Sequence, residues 1–157
     1  MGHSSTAGAS QASPSATEIV CAHCDSIVRV PGDRMRDAPR CPRCHEALFS
    51  GHPVELGSTN FDQHVARSGV PVVVDFWAPW CGPCRAMAPV FERVAAEIEP
   101  SARFAKLNTD AAQDVAGRYG IRSIPTLMVF KDGREVARQA GAMDAASLRR
   151  WLGSVLA

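Results

Sequence analysis

From residue 54 onward the apolar positions alternate between two periods, two residues for strands and about 3.6 for helices. Val72-Val73-Val74-Asp75-Phe76-Trp77 is an apolar run broken before its end only by Asp75, and it reads as a buried strand. Pro83 to Ile98 carries Val90, Phe91, Val94, Ala95 and Ile98 at the spacing of one helix face. Pro89 within that helix is expected to kink it. Arg103 to Leu107 reads as a second strand, Ala111 to Tyr119 as a helix and Thr126 to Phe130 as a third strand. Asp132-Gly133 predicts a hairpin turn into Glu135 to Gln139, so the last two strands run antiparallel. Asp144 is placed to cap a final helix whose face carries Leu148, Trp151, Leu152, Val155 and Leu156. Asn60, three residues ahead of Gln63, predicts a capped helix beginning at Phe61. The order β-α-β-α-β-α-β-β-α predicts an α/β fold, a mixed central sheet with helices on both faces.

The first third of the chain follows no such pattern. Residues 18–50 hold four Cys and five Arg but few large apolar residues, among them Ile19, Val20, Ile27, Val28, Val30, Leu48 and Phe49. A segment this short cannot fold on its own apolar core. Gly51-His52-Pro53 reads as a linker. Residues 1–17, mostly Ser, Ala and Gly, read as a disordered tail or a tag remnant. The expected division is therefore a tail over 1–17, a small Cys-rich domain over 18–50 and an α/β domain over 51–157.

Composition narrows the partners. Apolar residues make up 46% and charged residues 21%, which fits a folded globular domain rather than a coiled coil or a disordered chain. A net charge of +1 supplies no long-range field for nucleic acid or an anionic membrane, and the five Arg of residues 18–50 are matched by five acids, so no nucleic-acid partner is expected. No run approaches the roughly 18 apolar residues of a membrane span. Residues 1–16 lack the basic start and apolar stretch of an export signal, so a cytoplasmic setting is expected, and with no oligomer signal in the sequence a monomer is the default expectation.

The six Cys fall into three pairs, each with two residues between the sulfurs. Cys21-Ala-His-Cys24 and Cys41-Pro-Arg-Cys44 have the spacing of a four-Cys tetrahedral zinc site, each pair directing two thiolates at one ion. Metal binding would supply the stability that the segment's small core cannot. Four thiolates on Zn²⁺ carry a charge of −2, and some of Arg29, Arg34, Arg36, Arg40 and Arg43 are expected to donate to sulfur. His23 and His45 are read as exposed residues beside the site. If this ribbon is separate from catalysis, a chain without residues 1–50 keeps much of its activity.

The third pair differs in context. Trp80-Cys81-Gly82-Pro83-Cys84 follows a buried strand and opens a helix, the setting of a dithiol redox centre. At the helix N-terminus the backbone N–H groups and macrodipole stabilise the Cys81 thiolate, lowering its pKa below the roughly 8.5 of a free thiol. Cys84, one turn deeper, is the resolving thiol, and Pro83 suits the first helical turn. Asp75, in an otherwise apolar strand, is expected to have a raised pKa and to accept the Cys84 proton.

Val74-Asp75-Phe76-Trp77-Ala78-Pro79-Trp80-Cys81-Gly82-Pro83-Cys84-Arg85, Lys106-Leu107-Asn108 and Ile121-Arg122-Ser123-Ile124-Pro125-Thr126 resemble thioredoxin over roughly residues 54–157. With the four-Cys ribbon ahead of them, the chain resembles the zinc-containing thioredoxin-2 group. The resemblance implies a cytoplasmic protein-disulfide reductase with a redox-active Cys81–Cys84 disulfide, no bound organic cofactor and one structural zinc. It implies recharging by thioredoxin reductase, an NADPH-dependent flavoprotein, with disulfide-containing proteins as substrates. It implies that Pro125 is cis and faces the Cys pair, that Lys106 approaches Asp75, and that Trp80, Gly82, Pro83, Ile124, Gly141 and Ala142 form the rim on which an extended substrate docks. Trp77 is read as core or as a direct participant, and Tyr119, Trp151 and the Met residues as packing. A disulfide oxidant or isomerase, and a zinc-ribbon adaptor or redox sensor, stand as the alternatives. The Gly-Pro between the cysteines resembles the reducing members.

Overall fold

The computed structural model describes residues 16–157; residues 1–15, which hold most of the expected tail, lie outside the described residues. Strands β1 (Ala16–Val20) and β2 (Ile27–Pro31) pair antiparallel, so the first strand begins two residues before the expected boundary at residue 18. A single 3-10 turn, Gly32–Arg34, follows. The rest builds the predicted order: β3 (Val54–Leu56), α1 (Phe61–Arg67), β4 (Val72–Trp77), α2 (Gly82–Ile98), β5 (Arg103–Asn108), α3 (Gln113–Arg118), β6 (Thr126–Lys131), β7 (Arg134–Ala140) and α4 (Ala145–Leu156). The strands lie in the order β3-β5-β4-β6-β7, with β4 parallel to β5 and antiparallel to β6. Asp132 and Gly133, both at positive φ, turn β6 into β7.

Strand alternation sorts the two cores. Val72, Val74 and Phe76 of β4 pack with Phe61 and Val65 of α1 and Val115 of α3. Val73 packs on the other face with Met87, Phe91 and Val94 of α2 and Leu148 and Leu152 of α4. Asp75, two positions after Val73, therefore falls on the α2 side, beneath the third Cys pair.

Helix α2 contains Pro89 and continues to Ile98, and two local expectations change. Helix α3 is shorter than 111–119, because Asn108 Oδ1 accepts the backbone N–H groups of Asp110 and Ala111 and holds them in a turn. Asn60 precedes α1 but its side chain does not cap the helix: Oδ1 accepts from Gly57 N at 2.8 Å, and Gln63 reaches the backbone carbonyl of Asp25.

The segment around β1 and β2 packs directly on the larger unit. Its buried cluster, Ile19, Cys21, Val30, Cys41 and Leu48, is completed by Val70. Gly69 N donates to Glu18 O at 2.7 Å, and Arg67 pairs with the Glu18 carboxylate at 3.1 Å. A ribbon separable from the rest is therefore not what the packing presents.

Candidate functional site

The first two Cys pairs converge. The Sγ atoms of Cys21, Cys24, Cys41 and Cys44 all lie within 4.8 Å of one another, with Cys21 to Cys44 at 3.6 Å and Cys24 to Cys41 at 3.7 Å. A tetrahedral ion with Zn–S bonds of about 2.3 Å requires edges of about 3.8 Å, so these residues fit zinc. The two turns are built alike: Asp25 N donates to Cys21 O and His45 N to Cys41 O, and Asp25 and His45 sit at φ 63° and 69°. His23 N and Arg43 N each point at a sulfur, Cys21 and Cys41, at 3.4 Å.

The expected arginine donors are not found. Arg34 pairs with Asp37, Arg36 donates to Ser101 Oγ and Arg40 to His45 O. Among the described residues none of Arg29, Arg34, Arg36, Arg40 and Arg43 hydrogen-bonds a cysteine sulfur through its side chain. Backbone amides do that work, since the tight turns already aim them at the thiolates. His23 and His45 are exposed, as expected.

The third pair forms the Cys81–Cys84 disulfide at the start of α2. Cys81 is the N-cap, and its Sγ accepts from Cys84 N at 3.2 Å, which places an amide donor where a thiolate would carry charge. Both sulfurs are buried, in a cluster with Ala78, Trp77 and Ile124, and Ile124 O lies 3.8 Å from Cys81 Sγ. The Ile124–Pro125 peptide is cis, as is Glu99–Pro100, which nothing in the sequence announced. Gly141 N donates to Pro125 O at 2.8 Å, tying the end of β7 to that loop. Trp80 is 67% exposed beside the disulfide and its Nε1 donates to Asp110 at 2.8 Å. Gly82, Pro83, Gly141 and Ala142 are exposed, Ile124 is half-buried and Pro125 is buried.

Behind the disulfide a cavity of about 130 Å³ is bounded by Cys84, Asp75, Trp77, Lys106, Pro53 and Glu92, among others. Burial pushes the Asp75 carboxyl up to about 7, with the Lys106 charge opposing. Its Oδ1 has no hydrogen-bond partner. Lys106 lies opposite Asp75 in the β4–β5 register, yet its Nζ ion-pairs with Glu55 at 3.6 Å and sits 5.3 Å from the Trp77 ring centre. Lys106 thus shares the cavity with Asp75 without bonding it. Tyr119 packs against Phe61, Phe76 and Phe130, a core role as expected.

Two groups escaped the sequence reading. His64 is fully buried and its Nε2 meets Asp25 Oδ1 at 2.8 Å; burial holds its pKa down. Its place between Phe61 and Val65 on an apolar helix face was the available signal. Arg103, also buried, donates to the carbonyls of Val20 and Leu48. Nothing in its strand context pointed to partners 83 and 55 residues away.

Comparison with known proteins agrees with both centres. The thioredoxin family model matches residues 52–154, and the model described as thioredoxin 2, N-terminal, a zinc ribbon, matches residues 20–46. The chain is 42% identical to thioredoxin C-3 of Corynebacterium nephridii over 134 residues, covering 85% of this chain and 92% of that protein. It is 51% identical to thioredoxin 1 of Synechococcus elongatus over 92 residues, covering 59% of this chain and 86% of that one. A solved mutant thioredoxin from Halobacterium salinarum superimposes with a TM-score of 0.61 at 34% identity, over 68% of this chain and 93% of that one.

Proposed function

The chain belongs to the thioredoxin family, and from that membership we propose that Cys81 is the attacking thiolate and Cys84 the resolving thiol of its reaction. The protein is a thiol–disulfide oxidoreductase that reduces protein disulfides through its Cys-Gly-Pro-Cys pair and carries an N-terminal zinc ribbon. In the reduced state the Cys81 thiolate attacks a substrate disulfide and one substrate thiolate leaves. The Cys84 thiol gives its proton to the Asp75 carboxylate and attacks Cys81 Sγ. The Cys81–Cys84 disulfide forms, the second substrate thiolate leaves, and two electrons have passed to the substrate.

The observation that carries this reading is the shared cavity: a buried carboxyl with a pKa of about 7 and an unpartnered oxygen lies behind the less accessible sulfur. A base of that strength suits a thiol near neutral pH. Lys106 tunes Asp75 by its charge from across the cavity. The substrate segment docks on Trp80, Gly82, Pro83, Ile124, Gly141 and Ala142, beside Pro125; the exposed indole and exposed glycines support an extended backbone lying there.

Family members are reduced by thioredoxin reductase and act on disulfide-bearing proteins. For this chain we assign an NADPH-dependent flavoprotein reductase as donor and a cytoplasmic setting, since four zinc-binding thiolates require reducing conditions. Among the described residues no helix is long and apolar enough to cross a membrane. The working unit is a monomer, because both centres are built from one chain, with the ribbon over 18–50 and the thioredoxin domain over 51–157. Insulin reduction followed by turbidity, with dithiothreitol as electron source, tests the reading: Cys81→Ser is expected to be inactive, and equal rates for variant and wild type would overturn it.

A further inference from the structure

The zinc–tetrathiolate centre carries a net charge of −2, and among the described residues Arg34, Arg36 and Arg40 of its own segment bond to other groups than its sulfurs. One buried cation does lie against the ribbon, and it comes from the other domain. Arg103, the first residue of β5, is 1% exposed. Its Nη2 donates to Val20 O at 2.8 Å and to Leu48 O at 2.9 Å. Val20 is joined by its peptide bond to Cys21, and Leu48 shares the buried cluster of Cys21 and Cys41, so one guanidinium grips both ends of the metal-binding segment. The Phe49 ring lies 4.3 Å beneath it.

The charge of Arg103 is met within its own domain by a single carboxylate. Its Nε and Nη1 have no hydrogen-bond partner. Glu99, the carboxylate beside it, is 3.9 Å away and already accepts from Gly51 N at 3.1 Å and Phe104 N at 3.0 Å. A buried guanidinium with one distant carboxylate and two carbonyl acceptors is costly unless a further anion stands nearby. The tetrathiolate centre is the anion that this packing supplies.

We propose that Arg103 is the counter-charge of the zinc centre, a positioning residue that the thioredoxin domain contributes across the ribbon interface. It rests on the four-cysteine zinc reading and is independent of the roles given to Cys81, Cys84 and Asp75. Under it the metal centre is complete only when the ribbon is docked, and zinc affinity depends on a residue outside the ribbon.

The test is zinc affinity of the intact chain, read by competition with a chromophoric chelator. Arg103→Met, neutral and of similar size, is expected to bind zinc about 10–100-fold more weakly, the usual cost of losing a group that supports metal ligands from outside. Arg103→Lys keeps the charge but ends one atom short of the Nη2 that reaches both carbonyls, so a counter-charge role places it within about threefold of wild type. A merely structural role for Nη2 makes Arg103→Lys as weak as Arg103→Met, and that outcome overturns the proposal, as does an Arg103→Met affinity equal to wild type. Should Arg103→Met fail to fold, Glu99→Gln decides alongside Arg103→Lys. Removing the competing carboxylate leaves Arg103 to the centre, so zinc binding at least as tight as wild type is expected, and weaker binding overturns the idea.

Discussion

Asp75 carries the pH dependence of the redox half. Its folded pKa, about 7, lies above the 3.8 of an ordinary aspartate because it is buried. Between pH 4 and pH 7 the folded protein therefore holds a proton that the unfolded chain has released, and stability falls as pH rises through that window. Asp75→Asn removes the penalty. The oxidised variant is expected to exceed wild type in stability above pH 7, by up to roughly 4 kcal/mol at about 1.4 kcal/mol per pH unit of displacement. The gain should vanish near pH 4. Urea midpoints at pH 4, 6 and 8 check this, and the same variant should reduce insulin more slowly if the resolving proton goes to Asp75. Asp75 was legible in the sequence because a lone carboxylate in an apolar strand is desolvated at a cost that packing alone does not offset, which points to chemistry. Lys106 was less so: register sets it opposite Asp75, but a long flexible stem let its ammonium reach Glu55.

Among the elements, period and turn chemistry recovered the strand and helix order from residue 54 on, with end errors of one residue, and of two at the start of α3, where Asn108 competes for backbone donors. Asp144 was rightly read as a cap, accepting from Ser147 N at 2.8 Å, and Asp144→Ala should lower helix α4's contribution to stability. Asn60 looked like the same signal and was not, because a capping motif says nothing of a partner surface 35 residues upstream that captures the neighbouring Gln63 and His64. Gly69 marks where that surface comes closest. A Cβ built there would meet Thr17 Cγ2 at 2.5 Å and Glu18 O at 2.9 Å, so β1 has no room for a side chain between α1 and β4. Gly69→Ala is expected to cost about 1–3 kcal/mol in urea unfolding, the usual range for overpacking. An unchanged midpoint would mean that β1 yields without cost.

At the scale of the molecule, the spacing of four Cys announced a zinc ribbon, yet nothing in the sequence announced that the ribbon is mortared to the sheet. Cysteine spacing encodes local turns, whereas the contacts of Arg103, His64 and Gly69 join residues dozens of positions apart and carry no periodic mark. The joint has a consequence that separates stability from chemistry. The residues clustered on Cys81 and Cys84 are Ala78, Trp77 and Ile124, none of them in the ribbon. Cys21→Ser with Cys24→Ser should therefore lower zinc from one ion per chain to none and withdraw about 10–16 kcal/mol of apparent binding energy from the ribbon's folding. Arg103 then loses the two carbonyls it grips, His64 the carboxylate it meets and Val70 the apolar cluster it completes. The expected result is a urea midpoint well below wild type for the redox domain itself, with insulin reduction at 25 °C largely kept. An unchanged midpoint would show that the ribbon leans on the sheet without supporting it, and a lost rate in protein still folded would show that the ribbon reaches the disulfide after all.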